Sequence, residues 1–384
     1  MRNCIDGSAI RIKPKNLNHW INVAVAISQI GCTRVSSVSS KVMSEGLRLA
    51  KSDWPRTGRD LRNSALAPFE GASEGTIILD LELPVSGSVV LSESGDFLIA
   101  GNGIVAKVAS GGELLWKQKL SDFCSAPLAL ECGLILVNAC HRSYLLDAHG
   151  QTVRTWEVSD RLEDSGPSPA ITRSGHPLLS TCGGGVWLGL DNGVKELGLF
   201  GFDTLPPAVL ETGEIALAGY YDSGPCLLGA DGAVLWKDLD FKEADSLVSA
   251  NRFGEIAFGV LNTKQSVVLD IKGARCFESS FVATFSEHPD GWIAVSEGVV
   301  RLLSRVGKEL WSVRLPVRRG FGLEQAVCDC LGRVYVPCQG GLAALDWHGG
   351  LLFRLKTGVE QPRNLALIKD RVVFMCGDRL VLAG

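Results

Sequence analysis

Methionine and tyrosine are scarce in this chain, at 3 and 4 of 384 residues, and the adjacent basic pairs, such as Arg318 with Arg319, are isolated. With a net charge of -4, there is no broad phosphate-neutralising surface, which excludes nucleic acid as an expected partner. The longest apolar run near the start, Ile21 to Ile27, falls far short of the roughly 20 residues that cross a bilayer, so no transmembrane segment is expected. No HExxH, no paired CxxC and no Walker-type loop occurs, so neither a metal nor a cofactor is expected from motifs.

The twelve cysteines do not form a spaced framework. They fall singly inside apolar stretches, a usage that fits a reducing cytoplasm. The alternative is a periplasmic lipoprotein whose signal ends at INVAVAISQIGC, with Cys32 as its last residue. Residues 1–52 show no repeat and are read as an N-terminal extension, partly disordered or in short helices, with Met43 to Lys51 as one helical stretch. Residues 53–384 are read as one domain.

What is abundant is glycine, 44 residues, within a composition that is 46% hydrophobic. That combination points to many short strands joined by tight turns. From residue 75 onward a glycine is followed four positions later by a large residue: Gly75 to Leu79, Gly112 to Trp116, Gly193 to Leu197, Gly232 to Trp236, Gly273 to Phe277, Gly307 to Trp311 and Gly349 to Phe353. An irregular member, Gly150 with Arg154 and then Trp156, brings the count to eight, at spacings of 34 to 43 residues. A second marker, a glycine or aspartate opening an apolar strand, also appears eight times, at Gly95, Gly133, Gly175, Gly213, Gly254, Gly291, Gly332 and Asp370.

Two markers with one count and a period near 40 imply eight four-stranded antiparallel blades, an all-β eight-bladed propeller. Seven blades are predicted at 86–122, 123–160, 161–203, 204–240, 241–280, 281–316 and 317–356. The phase between the markers predicts that the eighth is composite, made of 357–384 plus an N-terminal strand within Thr76 to Pro84. Closure of this kind would remove two exposed sheet edges. The aromatics at the fourth position should carry the packing between blades, each removing about 150 to 250 Å² from water.

The segment WPRTGRDLRNSALAPFEG and units such as LLSRVGKELWSVRLP and LLGADGAVLWKDLD resemble the pyrroloquinoline-quinone-like (quinoprotein-type) β-propellers over residues 53–384. The resemblance implies an eight-bladed ring with tryptophan docking between blades. Quinone-dependent members bind calcium beside the quinone and carry two adjacent cysteines in a disulfide ring. No Cys-Cys pair exists here, and Cys328 and Cys330, two apart on a strand, would lie about 6.6 to 6.8 Å apart. The chain therefore resembles the cofactor-free branch, which includes scaffold subunits.

GASEG, Gly71 to Gly75, matches the GxSxG pattern, but Ser73 lies in a polar linker before a strand and reads as a turn. A propeller needs no linear motif for a site, because the loops between second and third strands and between blades gather around one mouth of the channel. His141, Arg142, Tyr144 and Tyr221 are the catalytic candidates at that mouth, while Tyr220, Asp222, Lys264, Glu297, Arg318, Arg319, Arg363 and Arg379 are the ligand-binding candidates. Two readings follow. One is a binding scaffold that holds a protein segment or a small ligand. The other is a cofactor-independent lyase, cyclase or isomerase of specialised metabolism, with a His or Tyr acid or base and Arg in the channel mouth.

Overall fold

The computed structural model describes residues 46–384, except 122, 140–141, 159–166, 182–183, 201–205, 219–223, 239, 242–243, 245–246, 261–262, 318–324 and 359–360. Its strands form eight four-stranded antiparallel sheets, each a blade. Seven are built from consecutive strands and fall inside the predicted ranges, the first being Ser88–Leu91, Phe97–Gly101, Ile104–Val108 and Leu114–Lys119. The eighth holds Arg363–Ile368, Arg371–Cys376 and Arg379–Ala383, with Ile77–Glu82 outermost. Ile77 lies opposite Ala383 and Glu82 opposite Arg379.

The first strand of each blade is the inner one. Inner strands of blades 1 and 2, 3 and 4, 5 and 6, 6 and 7, 7 and 8, and 8 and 1 touch, which sets the blades in a ring. Along the inner strands burial is almost continuous, whereas the outer strands alternate between exposed and half-buried. Apolar clusters therefore sit between blades: one joins blades 7, 8 and 1 with Trp54, another blades 4 and 5, another blades 5 and 6.

Both sequence markers have a structural cause. Gly95, Gly133, Gly175, Gly213, Gly254, Gly291, Gly332 and Asp370 all take positive φ, and each closes the turn between first and second strands. The fourth-position residue of one blade rests on the marker glycine of the next. A Cβ on Gly150 would stand 2.8 Å from the Trp116 ring, on Gly273 3.1 Å from Trp236, on Gly307 2.7 Å from Phe277, and on Gly349 3.0 Å from Trp311. The same contact joins Phe353 to Gly75 and Leu79 to Gly112. Trp116, Trp156, Trp236 and Trp311 each donate their indole N–H to a turn carbonyl of the following blade, at 2.8 to 3.1 Å.

In every blade the outer strand slips by one residue against the third. In seven blades the unpaired residue is the third after the marker glycine, as Leu115 is between Leu114 and Trp116. A bulge bends the strand and increases its twist, and here it falls immediately before the residue that reaches the next blade.

Two expectations change. Residues 46–51 carry no helix, and Leu49 bridges to Leu130 instead. Trp116, Trp236 and Trp311 are half-buried, because each ring covers a glycine with one face and keeps an edge toward solvent. Full-burial area therefore overstates their contribution, and Trp156, at 2% exposure, is the one docking tryptophan that is fully buried.

Gly307 and Gly254 separate the two roles of glycine. Both have positive φ, at 78° and 80°, but a Cβ on Gly254 meets nothing within 4 Å. Gly254→Ala should cost about 1 to 2 kcal/mol of backbone strain, and Gly307→Ala at least about 1 kcal/mol more for displacing Phe277. Urea unfolding of both variants checks this, and equal losses would contradict the docking role.

Candidate functional site

The stretch from Gly46 to Ala72 makes no regular strand, since Pro55, Gly58 and Pro68 interrupt it and Arg59, Asn63 and Ala65 take left-handed φ. It is a strap across one end of the hub. An inner strand has one edge without a neighbour, so its amides toward the axis need acceptors. Strap carbonyls supply them: Leu91 N–H donates to Trp54, Ala129 to Pro55, Val209 to Leu61, Ala250 to Arg62, Glu287 to Ser64 and Cys328 to Ala65, and in blade 8 the turn amide of Asp370 donates to Glu70, all at 2.6 to 2.9 Å. Blade 3 joins through Leu47 N–H, which donates to Gly175 O at 2.9 Å. The strap thus contacts every blade.

Side chains fix its path. Asp60 accepts from the amides of Arg62 and Ser64 at 3.1 and 3.0 Å and from the Ser64 hydroxyl at 2.9 Å, which winds the strap into a turn. Arg56 is wholly buried, and its guanidinium donates to Asp60 O, Leu61 O and, at 2.8 Å, Pro207 O. Burial pulls its pKa down to about 10, opposed by Asp60, so it stays charged at neutral pH. The Asn63 amide donates to Pro206 O, Pro207 O and Val248 O. In return, Ser249 Oγ and Gln325 Nε2 donate to Asn63 O at 2.7 and 2.9 Å.

Glu287, 1% exposed, lies 3.4 Å from Arg62 of the strap and 3.4 Å from Arg252. Burial raises its pKa, and the two guanidinium groups oppose the rise. The next residue, His288, packs edge-on against Trp347 with ring centres 4.9 Å apart. Its Nδ1 accepts from Asp290 N–H at 3.1 Å, so Nε2 carries the proton toward Gly332 O, 3.3 Å away. Burial lowers its pKa.

The strap's last residues meet Asp329, which is fully buried and accepts from Gly71 N–H at 3.0 Å and Arg333 Nε at 2.7 Å. Tyr335 donates its hydroxyl to Ala72 O at 2.7 Å. GASEG is therefore the anchored end of the strap, and Ser73 is exposed. These buried polar groups hold backbone, and the sequence reading missed all of them. Their only signal was an aperiodic, Pro- and Gly-broken segment beginning with a tryptophan.

Strap contacts fall where inner strands end, so antiparallel order places the second-to-third turns at the opposite mouth. Six of the predicted site residues are described there. Arg142 pairs with Glu157 at 2.7 Å within blade 2, and its pKa is raised first by a hydrogen bond with Tyr144 and then by Glu157. Tyr144 is half-buried on the same strand. Lys264 and Glu297 are exposed in the turns of blades 5 and 6. Arg363 is exposed at the start of the inner strand of blade 8. Arg379 binds the Asp80 carboxylate, with Nε 3.0 Å from Oδ1, and donates to Thr357 O at 3.2 Å. No hydrogen bond or ion pair among the described residues joins these six across blades. His141, Tyr220, Tyr221, Asp222, Arg318 and Arg319 lie outside the described residues.

Cys328 and Cys330 are both free thiols, the first buried and pushed well up in pKa by desolvation. Cys276 is half-buried, and Cys338 and Cys376 are buried. Among the described residues no group of three or more His, Cys, Asp or Glu could hold a metal ion.

No protein family matches the chain, and no curated protein sequence does. Solved structures do. BamB from Moraxella catarrhalis is 16% identical, with a TM-score of 0.62 over 80% of this chain and 96% of that one. The Dos1 propeller is 10% identical, with a TM-score of 0.64 over 82% and 96%. Quinohemoprotein alcohol dehydrogenase from Comamonas testosteroni is 11% identical, with a TM-score of 0.62 over 86% and 80%. At such identities the likeness is one of fold: this chain is an eight-bladed propeller similar to the BamB-like and quinoprotein propellers.

Two outcomes test the strap. Arg56→Met removes a charged donor from three carbonyls, each of which keeps one other donor, and should cost about 3 to 5 kcal/mol in urea unfolding. His288 is held neutral, so the unfolded chain takes up its proton first, and stability falls as pH drops below about 6.5. Glu287 acts oppositely, since its raised pKa means stability is lost as pH rises from about 4.5. Stability measured at successive pH values should therefore show a shallower loss below pH about 6.5 for His288→Gln than for the parent.

Proposed function

We propose that this protein is a binding scaffold that holds a protein segment or small ligand at the channel mouth opposite the strap, without quinone. The observation that carries this reading is the division of the hub. One end is filled by the strap, whose buried charges are committed to backbone carbonyls and to one another. At the other end, the turns of the blades converge and present exposed charges on separate blades, including Lys264, Glu297 and Arg363. Arg and Tyr at such a place are suited to gripping a partner.

The enzymatic reading has one observation in its favour. Arg142 stands beside Tyr144, on the strand that follows His141 in sequence, and its pKa is raised by that neighbour. A Tyr beside an Arg suits proton transfer near a developing negative charge. The cytoplasmic location inferred from cysteine usage belongs to the same proposal, and the exposed thiols of Cys132 and Cys330 fit a reducing compartment. No helix among the described residues is long and apolar enough to cross a membrane.

Photo-cross-linking in the producing cell tests the scaffold. With p-benzoylphenylalanine at Lys264 or at Glu297, the same partner should be captured from both positions, and not from Lys117 on the outer strand of blade 1. Capture that is equal from all three positions, or absent from both mouth positions, overturns the proposal.

A further inference from the structure

On the face that carries the strap, exposed apolar and basic side chains gather on blades 5 to 7. Blades 5 to 7 show Phe253, Val306 and Leu331 at 54%, 77% and 48% exposure. Arg252 and Arg305 flank Phe253, and Lys272 and Lys308 stand in the turns of blades 5 and 6 on the same face, all exposed. Across the ring, blade 1 presents Glu93 and Glu113 on the same face, exposed and with no side-chain partner among the described residues.

Phe253 is a fixed knob. The Arg305 guanidinium lies 3.8 Å from its ring centre and that of Arg252 5.2 Å. Arg305 Nε is held by Glu255 at 3.0 Å, and Arg252 by Glu287. An aromatic ring immobilised before binding loses little entropy when it docks.

Across the ring lies a matching hole. Between blades 1 and 2, on this same face, a cleft of about 220 Å³ is lined by Leu98, Leu130, Leu134 and Ile135, with Glu93 at its rim and Lys107, which pairs with Asp96 at 3.0 Å, in its wall. A cavity of about 150 Å³ suffices for benzene, so the cleft has room for a phenyl ring. In an eight-membered ring the junction of blades 5 and 6 is diametrically opposite that of blades 1 and 2.

We propose that the strap face is the interface of a homodimer in which Phe253 of each copy fills the cleft between blades 1 and 2 of the other. A two-fold axis parallel to the face reverses blade order, so blade 5 can lie over blade 2 while blade 6 lies over blade 1. Knob and hole then meet twice, as an isologous interface requires. The basic surround of Phe253 then meets Glu93 and Glu113. Such a dimer turns the two opposite mouths outward. It does not depend on what those mouths bind.

Sedimentation velocity of the full chain over a range of concentrations decides the matter. The expected result is a species of twice the chain mass that dissociates in high salt. Phe253→Asp should weaken association by at least about 1000-fold, since a hot-spot anchor is worth about 30-fold or more and is lost twice by symmetry. Glu93→Arg alone should also weaken association, by about tenfold or more, because it sets an arginine against Arg252 and Arg305 of the other copy. Both positions are exposed, and unchanged thermal unfolding of the variants separates association from folding. A monomer at every concentration, a Phe253→Asp variant that dimerises like the parent, or a Glu93→Arg variant that does so overturns the proposal.

Discussion

Eight inner strands around one axis leave eight bare edges of backbone, and everything else in this molecule depends on how those edges are satisfied. Loose water would serve for an open channel, but would leave the ring without a member common to all blades. The strap from Gly46 to Ala72 is that member. Six inner-strand amides and the turn amide of Asp370 end on its carbonyls, and Leu47 supplies the eighth contact by donating to blade 3. Contacts between neighbouring blades act pairwise, as Trp311 on Gly349 does. A segment bound to every blade couples them into one unit.

That coupling dictates the chemistry of the strap. A chain that must present carbonyls to blades in turn cannot be helix or strand, so it takes left-handed steps at Arg59, Asn63 and Ala65. Its own polar groups are then buried and need partners. Arg56 and Asn63 solve this together, since both donate to Pro207 O, whose proline has no N–H of its own to offer. A buried cation carries a desolvation cost, and the lowered pKa of Arg56 records it. The cost is tolerable because the guanidinium meets three carbonyl dipoles instead of an apolar wall.

The parts of this design visible in the sequence are the periodic ones. Turn glycines and docking residues recur because every blade has the same two tight turns and the same neighbour, so blade number and boundaries could be read from spacing alone. The strap occurs once, and its contacts are mostly backbone to backbone, which leave no residue signature. Asp329, Glu287 and Gln325 look in sequence like ordinary turn or strand residues, and only the fold brings them to the strap. The mouth candidates were chosen by loop position, and position could say which end of the channel they share but not whom they contact. Arg142 and Arg379 proved to be held within their own blades, by Glu157 and Asp80.

Where the strap crosses blade 6, Glu287 and His288 stand next to each other, and burial acts on both by the same rule with opposite results. It disfavours the charged form of each, which raises the pKa of an acid and lowers that of a base. Acidification therefore relieves the carboxylate while it strains the imidazole. Glu287 also lies between Arg62 of the strap and Arg252, the residue that steadies Phe253 on the outer surface. A single buried carboxylate thus ties the inner clamp of the ring to the exposed aromatic knob. The rigidity that suits Phe253 to docking has the same source as the rigidity of the hub.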